Sequence, residues 1–513
     1  MNTNHMRTLL AALIWVAAAT ANAGTDDMAE RCAALTGKKF ENIPDAPTVI
    51  SGAKLTTQPG APEYCEVSGY IAPQIGIYMR LPTQQWNGKL MVVGCGAMCG
   101  TPPRPGNYYD IGVKQGYAVI FTDMGHHSGS GGGTDGMWGY NNLIAKMDFG
   151  FRSTHVTTVV GKTMVADFYG KPQRYAYFQG CSIGGRSGLM AAQRYPDDFD
   201  GIIAGAPANV YATGSVQQIW AALANQNPDG TPILKRADVE VLHKGAIANC
   251  DAVDGLQDGL IDDPRQCKFD PGVLECKGGA TQACLTPQMV SVARRIYGGP
   301  LSSSGERLHV GAPEVGSEMK WPGSLTDDTT RPSAALPFAS EKLRYLTFFA
   351  DPGPGWQARD FDWDQDRDRA RGLDILYASV NPDLRKFKAK GGKLIQYHGW
   401  DDETVVPMNS VDYYELTART MGGKTATEEF FRLFMIPAMG HCSGGTGATH
   451  VDYLEALENW VEKGQAPDRV LGKNIKGGRV EFTRPHFPYP DVARYMGTGD
   501  VKQAENFKRV TPP

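Results

Sequence analysis

The run Gln179–Gly185 (Q-G-C-S-I-G-G) contains the residue types of a nucleophilic site, with Ser182 at the centre of a G-x-S-x-G motif. Where this motif follows a strand and begins a helix, it holds the serine hydroxyl on a sharp turn and directs backbone N–H groups towards a developing oxyanion. A strand-like run, Arg174–Phe178, precedes it, and a helix-compatible run, Arg186–Tyr195, follows it. The sequence therefore predicts that Ser182 is a nucleophile.

A serine nucleophile needs a base that accepts its proton, and two histidines near the C-terminus are candidates. In the α/β-hydrolase fold, where such serine turns occur, the order along the chain is Ser, then Asp or Glu, then His. His441 and His450 both follow the strand-like run Phe431–Ile436, and His441 lies in the turn that leaves this run. We expect His441 to be the base; the alternative is an exposed loop histidine.

The acid that orients the base is expected in the loop after the preceding strand-like run, Lys393–His398. This loop, Gly399–Glu403 (G-W-D-D-E), contains three carboxylates. We favour Asp402 as the acid, and Asp401 is the second candidate. The remaining carboxylates are then expected to belong to a solvated turn.

Composition and charge indicate an exported globular protein. The chain has 513 residues, of which 42% are hydrophobic and 21% charged, and a net charge of −4, so it lacks the basic character of nucleic-acid-binding proteins. Arg7 precedes the apolar run Leu9–Ala19 and the small residues Ala21–Ala23, which predicts a signal peptide over residues 1–23. That run is too short to cross a bilayer, and no later one is long enough. We expect a secreted or periplasmic protein with no nucleic-acid partner and no membrane span.

Strand-like and helix-like runs alternate in the first part of the chain. Lys89–Val93, Tyr117–Thr122 and Gly201–Ala206 have the composition of short buried strands, and Val156–Phe168 has apolar residues at helical spacing. This alternation predicts an α/β fold with a mostly parallel sheet that is covered on both faces.

Residues 209–384 interrupt this alternation. They contain four of the ten cysteines, many Gly, Pro and Asp residues, and a cluster of aromatic residues. We interpret this segment as an inserted lid domain. The core of the fold is then expected to comprise residues 24–208 and 385–513.

The ten cysteines are an even number in a chain with an export signal, which predicts disulfides rather than metal ligands. Short separations along the chain suggest two local pairs. These are Cys250 with Cys267 and Cys276 with Cys284.

A third pair connects two of the candidate catalytic loops, because Cys181 precedes Ser182 and Cys442 follows His441. If the serine and the histidine approach to a hydrogen-bond distance of about 2.6–3.2 Å, their neighbours lie near the roughly 5.5–6 Å Cα separation of a disulfide. We therefore expect a bridge between Cys181 and Cys442. The alternative is two unrelated cysteines that are paired elsewhere.

Three motifs together resemble the tannase/feruloyl esterase family. They are Gly180–Gly185 (G-C-S-I-G-G), Tyr397–Asp402 (Y-H-G-W-D-D) and Gly440–Cys442 (G-H-C), and the resemblance covers essentially the whole mature chain. It implies an α/β-hydrolase core, an inserted lid and a disulfide between the loops of the nucleophile and the base. Carried over by position, it implies the same three catalytic residues.

The resemblance also bears on the oxyanion hole. We expect the first donor to be the backbone N–H of Ile183, directly after the nucleophile. The second is expected in the loop after Lys89–Val93, which is glycine-rich in the family. In this chain we assign it to the N–H of Gly96.

Cys95 and Cys99 also lie in this loop and distinguish it from the family's pattern. One arrangement bridges Cys95 with Cys99 and leaves Cys32 to pair with Cys65, but the sequence leaves the pairing of these four cysteines open. No cysteine follows Cys442, whereas many members of the family have a further disulfide in the C-terminal tail.

The segment Cys250–Leu260 (C-D-A-V-D-G-L-Q-D-G-L) contains three acidic residues and two Asp-Gly turns, a pattern that can gather hard oxygen ligands around calcium. A solvated acidic loop is the alternative. The family has a calcium site in its lid, and the resemblance assigns that site to this segment. The expected ligands are the side chains of Asp251, Asp254 and Asp258 and the backbone carbonyls of Leu256 and Leu260.

These patterns predict a secreted serine esterase for small aromatic esters of the feruloyl, galloyl or terephthaloyl type. The lid aromatics, Phe348 among them, favour a flat acyl group, although they can equally form the lid's own core. Arg344 is a candidate for binding a carboxylate or phenolate of the substrate. The alternative is that Arg344 forms an ion pair at the protein surface. Two other functions stay open. One is a hydrolase-fold binding module without turnover, and the other is a lipase or peptidase on the same core.

Overall fold

The computed structural model describes residues 27–103, 106, 108–130, 132–278, 283–328 and 331–512. The predicted signal peptide, 1–23, lies outside these ranges. The chain divides into two compact units. The first comprises Met1–Val93, Pro102–His126 and Arg152–Tyr177, and the second comprises Gly94–Thr101, His127–Phe151 and Phe178–Pro513.

The strands of the described chain are numbered in chain order. They are β1 (Lys39–Phe40), β2 (Thr48–Thr56), β3 (Tyr64–Ile71), β4 (Ile75–Pro82), β5 (Lys89–Val93), β6 (Ala118–Thr122), β7 (Tyr175–Cys181), β8 (Gly201–Gly205), β9 (Lys393–Gly399), β10 (Phe431–Ile436), β11 (Val470–Lys476), β12 (Arg479–His486), β13 (Val492–Tyr495) and β14 (Phe507–Val510).

The α-helices are α1 (27–34), α2 (Tyr108–Lys114), α3 (Leu143–Met147), α4 (Ser153–Tyr169), α5 (Ile183–Arg194), α6 (Tyr211–Ala224), α7 (Arg236–Cys250), α8 (Pro287–Gly298), α9 (Ala335–Lys342), α10 (Asp366–Ala370), α11 (Asp374–Tyr377), α12 (Arg385–Ala389), α13 (Met408–Thr420), α14 (Lys424–Glu428) and α15 (Tyr453–Lys463). Two π-helical turns, Asp148–Arg152 and Leu343–Thr347, adjoin α4 and α9. Among the described helices, none combines the length and the apolar character needed to span a bilayer.

The first unit contains strands in the order β1-β2-β3-β4-β6-β5. β1 to β4 are antiparallel to their neighbours, β4 pairs antiparallel with β6, and β5 pairs parallel with β6. The sheet is therefore mixed, and the expectation of a mostly parallel sheet was wrong for this unit. No strand before Lys89 was predicted from the sequence, because residues in β2 to β4 alternate between buried and partly exposed instead of forming a continuous apolar run.

The second unit contains the strand order β7-β8-β9-β10, and β7 begins in the first unit. β8 pairs parallel with β9, and β9 pairs parallel with β10. All residues of β8 and nearly all of β9 and β10 are buried, as expected for parallel strands that are covered on both faces. The predicted strands agree with β7 to β10 to within three residues at each end.

Between β8 and β9 the described residues form helices, turns and loops, but no strand of this sheet. Two hydrophobic clusters lie in this part of the chain. One surrounds Trp321 and Leu242, and the other contains Ile219, Leu343 and Phe348. An insertion with its own core has these properties, but the boundaries 209 and 384 stay a prediction.

Candidate active site

Ser182 stands between β7 and α5, on the turn that the G-x-S-x-G motif predicts. Its backbone has φ +62° and ψ −119°, a region that non-glycine residues rarely adopt. The turn is held because the N–H of Ser182 donates to the carbonyl of Gly205 at 2.9 Å, and the carbonyl of Ser182 accepts from Arg186 at 2.9 Å. A strained backbone conformation at the serine, held in place by surrounding hydrogen bonds, is typical of a nucleophile elbow.

The glycines of the motif are required by close backbone approaches. A Cβ at Gly180 would lie 2.7 Å from the carbonyl carbon of Gly184. A Cβ at Gly184 would lie 3.0 Å from the carbonyl oxygen of Cys95. The loop that begins at Gly94 therefore packs directly against the start of α5, and a side chain at Gly184 would push the two apart. A side chain at Gly180 would instead clash with the backbone of Gly184, within the turn itself.

His441 follows β10 and contacts Asp402, which follows β9. Nδ1 of His441 lies 2.7 Å from Oδ2 of Asp402. A carboxylate only accepts, so Nδ1 carries the proton and Nε2 is left with a lone pair that can accept another proton. Burial favours the neutral imidazole, but the charge of Asp402 and this hydrogen bond outweigh it and raise the pKa of His441.

Asp402 is fully buried and accepts four hydrogen bonds. Its Oδ1 accepts from the backbone N–H groups of Thr404 at 3.0 Å and Val405 at 2.8 Å. Its Oδ2 accepts from His441 and from Nε2 of His398 at 3.1 Å. Burial alone would raise the pKa of Asp402, but the two histidines lower it, so the carboxyl stays ionised.

His398 is the site residue whose role was not predicted from the sequence. It is fully buried in β9, and its Nε2 donates to both Asp402 and the carbonyl of Val405, the latter at 2.8 Å. Its Nδ1 lies 2.6 Å from the hydroxyl of Ser410, which therefore donates to it. The spacing H-x-x-x-D, with a histidine at the end of the strand before the acid, was the available signal.

The other two carboxylates of the loop do not contact His441. Oε1 of Glu403 accepts from the hydroxyl of Ser324 at 2.5 Å, and burial together with the charge of Asp402 raises the pKa of Glu403. Burial and the charge of Glu318 raise the pKa of Asp401 to about 7. Of the three candidates, Asp402 is the one that the structure places on the base.

Cys181 and Cys442 form a disulfide with their Cα atoms 5.9 Å apart. This bond connects the residue before Ser182 with the residue after His441. The described structure has no hydrogen bond between the side chains of Ser182 and His441. In enzymes without bound substrate, catalytic hydrogen bonds are often long and shorten only when substrate binds. His450, the alternative base, is exposed and exchanges backbone hydrogen bonds with Lys473.

The loop predicted to supply the second oxyanion donor is closed by a disulfide between Cys95 and Cys99, whose Cα atoms are 5.5 Å apart. Its backbone is held at Gly94, whose N–H donates to Gln179 at 2.9 Å, and at Met98, whose N–H donates to Gly133 at 2.7 Å. Gly96 is exposed at the tip. Ile183 begins α5, so its N–H has no partner within the helix.

The two predicted local disulfides, Cys250–Cys267 and Cys276–Cys284, are present. Of the four cysteines whose pairing the sequence leaves open, Cys32 pairs with Cys65 and Cys95 with Cys99. Every cysteine is thus in a disulfide.

The two candidate substrate contacts have structural partners. Phe348 is 4% exposed and packs in a hydrophobic cluster with Ile219. Arg344 pairs with Glu341 at 2.8 Å and donates to the carbonyl of Trp356 at 3.0 Å. A substrate role for either side chain stays a prediction.

The acidic loop predicted to bind calcium has oxygen donors that suit a hard cation. Burial, with the charges of Asp258 and Asp251, raises the pKa of Asp254 to about 6, so the loop concentrates negative charge. However, Oδ1 of Asp251 accepts from the backbone N–H of Asp258 at 3.1 Å, and Oδ2 of Asp258 pairs with Arg484 at 2.6 Å. In the ranges that the structure covers, no three Asp, Glu, His or Cys side chains converge as a metal site. The donor chemistry fits calcium, and its binding stays a prediction.

Comparison with known proteins bears on what this site does. The family model described as tannase and feruloyl esterase matches residues 58–510. The chain belongs to the tannase and feruloyl esterase family. It is 33% identical to mono(2-hydroxyethyl) terephthalate hydrolase of Piscinibacter sakaiensis over 91% of this chain and 87% of that protein. It is 31% identical to a probable feruloyl esterase of Arthroderma benhamiae over 85% and 82% of the two chains.

A solved structure of feruloyl esterase B from Aspergillus oryzae superposes on this chain with a TM-score of 0.81 and 26% identity. The superposition covers 94% of this chain and all of the other. The chain therefore has an α/β-hydrolase fold and is a carboxylic ester hydrolase, like the members of its family. The resemblance inferred from the three sequence motifs is confirmed.

Proposed function

We propose that this protein is a secreted serine esterase that hydrolyses small aromatic carboxylic esters through an acyl-enzyme. The hydrogen bond from Nδ1 of His441 to the buried carboxylate of Asp402 carries this proposal. It leaves Nε2 free to accept a proton, on a loop that a disulfide ties to the loop of Ser182. A nucleophile, a base and an acid in this arrangement are those of acyl transfer.

In the first half of the reaction, Oγ of Ser182 attacks the ester carbonyl carbon while Nε2 of His441 accepts the hydroxyl proton. The carbonyl oxygen becomes an oxyanion, which the N–H groups of Ile183 and Gly96 stabilise by hydrogen bonds. When the carbonyl re-forms, the bond to the alkoxy oxygen breaks, and the protonated His441 gives its proton to the departing alcohol. The acyl group remains on Ser182.

In the second half, water attacks the acyl carbon and gives a proton to His441. Collapse of the second tetrahedral intermediate releases the carboxylic acid and returns the proton to Oγ of Ser182. Throughout, Asp402 stabilises the imidazolium and keeps the tautomer that leaves Nε2 basic. The four hydrogen bonds to Asp402 keep it ionised for this role.

The aromatic preference is supported by the relatives, which include feruloyl esterases and a terephthalate monoester hydrolase. It also agrees with a cluster of Met98, Tyr345 and Leu346, against which the partly buried rings of Trp138 and Phe338 pack. Met98 belongs to the loop of the second oxyanion donor. Flat rings beside that loop suit a flat acyl group.

The predicted export signal and the disulfides support secretion. The predicted calcium ion belongs to the same proposal: Asp251, Asp254 and Asp258, with the carbonyls of Leu256 and Leu260, would hold it. Bound there, it would neutralise the acidic loop and stabilise this part of the fold, without taking part in the ester chemistry.

A fluorophosphonate probe tests the mechanism directly. The wild-type protein should be labelled on Ser182 and should turn over p-nitrophenyl acetate, whereas Ser182→Ala should be neither labelled nor active. A binding module without turnover would not be labelled. To test the substrate class, methyl ferulate, methyl gallate and monomethyl terephthalate should be compared with a long-chain p-nitrophenyl ester and a peptide. Preference for either of the last two would indicate a lipase or a peptidase instead.

A further inference from the structure

The loop between Gly94 and Gly100 contains a tight turn with a strained backbone. The N–H of Cys99 donates to the carbonyl of Gly96 at 3.0 Å, which closes the turn. Ala97 and Cys99 have φ +53° and +63°, in the left-handed region that non-glycine residues rarely adopt. Strain of this kind persists only where the surrounding structure holds it, and it is concentrated at functional sites.

Both sides of this turn are anchored. On one side, the N–H of Gly94 donates to the carbonyl of Gln179 at 2.9 Å. On the other, the side chain of Met98 is fully buried in a small hydrophobic cluster. The disulfide between Cys95 and Cys99 joins the two sides across the turn. The bond therefore limits how far the residues between the two cysteines can move.

The middle of the turn presents backbone donors that are not used by the fold. Within the described ranges, the N–H groups of Gly96 and Ala97 have no hydrogen-bond partner. Gly96 is also exposed. Backbone N–H groups that are held in place and not engaged elsewhere can bind a developing oxyanion.

The turn lies against the start of α5, beside the first expected oxyanion donor. A Cβ at Gly94 would lie 2.7 Å from the Cα of Gly184, and a Cβ at Gly184 would lie 3.0 Å from the carbonyl oxygen of Cys95. Gly184 directly follows Ile183, whose N–H is that first donor. The peptide bond between Cys95 and Gly96 is thus in contact with the first turn of the helix that begins after the nucleophile.

The disulfide within this turn contributes little to the stability of the fold. Cys95 and Cys99 are four residues apart, whereas the other disulfides have separations of 8, 17, 33 and 261 residues. In the chain-entropy model, the stabilisation increases with the length of the closed loop. This bond therefore contributes least of the five, and its effect is confined to the turn that it closes.

We propose that the Cys95–Cys99 disulfide positions the oxyanion hole. It holds the strained turn so that the N–H of Gly96 has a fixed place near that of Ile183 before the substrate arrives. This inference rests on the proposed function. Oxyanion donors stabilise the transition state because they are already in place and need no reorganisation during the reaction. Loss of the bond should therefore slow the chemical step and leave substrate binding nearly unchanged.

The first test separates the chemical step from binding. In Cys95→Ala/Cys99→Ala, kcat for p-nitrophenyl acetate should fall about 10- to 100-fold, because a misplaced donor costs somewhat less than the roughly 10²- to 10³-fold loss of a deleted one. KM should stay within about threefold. Cys276→Ala/Cys284→Ala also removes a short-range disulfide and is the matched control; its kcat and KM should both stay within about threefold. An unchanged kcat in Cys95→Ala/Cys99→Ala would overturn the proposal.

Phenylboronic acid provides a measurement that a purely structural role would not change selectively. Oγ of Ser182 bonds to boron, its proton passes to His441, and one oxygen of the tetrahedral adduct takes the place of the oxyanion. Benzoate resembles a product acid and forms no such adduct. In Cys95→Ala/Cys99→Ala, the inhibition constant of phenylboronic acid should rise about 10- to 100-fold, and that of benzoate should change less than about threefold. Equal rises for both would mean a general distortion of the site and would refute the proposal.

A second variant, Cys95→Ala/Cys99→Gly, separates the bond from the strain. Glycine adopts φ +63° without strain, so this variant is the better able to fold. If the bond positions the turn, its kcat should equal that of Cys95→Ala/Cys99→Ala to within about threefold. Recovery of the wild-type kcat would show that the bond only offsets the strain at Cys99. Failure of both variants to fold would show that the bond supports the whole fold. Either result would refute the proposal.

Fluorophosphonate labelling of the wild type tests the proposed function separately. Absence of labelling on Ser182 would refute the serine mechanism itself. A labelled wild type, together with an unchanged kcat in Cys95→Ala/Cys99→Ala, would refute only the role of the disulfide.

Discussion

Cys181 and Cys442, which are 261 residues apart in the chain, form a disulfide whose Cα atoms are 5.9 Å apart. Ser182 follows the first cysteine, and His441 precedes the second. The two loops that supply the proposed nucleophile and base are therefore joined covalently, directly beside both side chains.

Removing that bond should affect activity more than stability near room temperature. Chain entropy assigns about 5 kcal/mol to so long a closed loop, and observed values are usually smaller. Small misplacements of a catalytic group, in contrast, reduce rates steeply. We expect Cys181→Ala/Cys442→Ala to lose at least about tenfold in kcat while the protein remains folded at 25 °C. Circular dichroism and turnover of p-nitrophenyl acetate measure the two effects.

The control is Cys276→Ala/Cys284→Ala, which removes a disulfide of eight-residue separation within the predicted lid. It should leave kcat within about threefold. If both double variants lose activity equally, the Cys181–Cys442 bridge has no special role in positioning the site.

The acid of the triad can be distinguished by single substitutions. Asp402→Asn should reduce kcat by about 10⁴-fold, as the corresponding change does in chymotrypsin-like proteases, because His441 would adopt the wrong tautomer. Asp401→Asn should stay within about tenfold, because Asp401 does not contact His441. The assignment is wrong if Asp401→Asn is the more damaging change. Fluorophosphonate labelling rates provide a second measure of both variants.

His398 should act as a positioning residue through Asp402. In His398→Leu, Oδ2 of Asp402 loses one of its two side-chain donors, which lie at 2.7 and 3.1 Å. A buried charge-assisted hydrogen bond contributes about 1.5–3 kcal/mol, so we expect kcat to fall by about 10- to 100-fold with little change in KM. Ser410→Ala, which removes only the partner of Nδ1, should have a smaller effect. A loss confined to the melting temperature would mean that His398 only supports the fold.

Activity should decline in mild acid. His441 must be neutral to accept the proton, and its pKa is raised, chiefly because the charge of Asp402 outweighs the effect of burial. The midpoint of the acid limb of kcat/KM should therefore lie above the ordinary histidine value of about 6.5. Glu403 also raises this pKa, so Glu403→Gln should move the midpoint to lower pH. A midpoint well below 6.5 in the wild type would contradict this electrostatic account.

Calcium should stabilise the fold more than it speeds the reaction. An ion that binds only the folded state raises the melting temperature with its concentration. We expect a chelator to lower the melting temperature while the rate at 25 °C changes less than about threefold. Asp254→Asn should weaken this dependence, and Asp229→Asn, in an exposed turn outside the loop, should not. A melting curve that is the same with and without calcium, on protein that metal analysis finds metal-free, would exclude the site.

Several features follow from short stretches of the sequence. The elbow at Ser182 is one. The glycines beside Ser182 and the strand and helix patterns that flank it are all close in the sequence, and together they determine the turn. The strands β8 to β10 are another, because parallel strands buried on both faces leave continuous apolar runs. The bridge between Cys181 and Cys442 could be inferred from their positions next to two candidate catalytic residues.

Other features were decided by tertiary packing. Asp401, Asp402 and Glu403 have the same chemistry in the sequence, and only the path of the loop after β9 brings Asp402 to His441. Strands β2 to β4 were not predicted because their half-exposed pattern depends on which neighbours they pair with. Which charges become buried, and which groups they pair with, are properties of the packed chain, since the charge of a residue in the sequence carries no information about its surroundings.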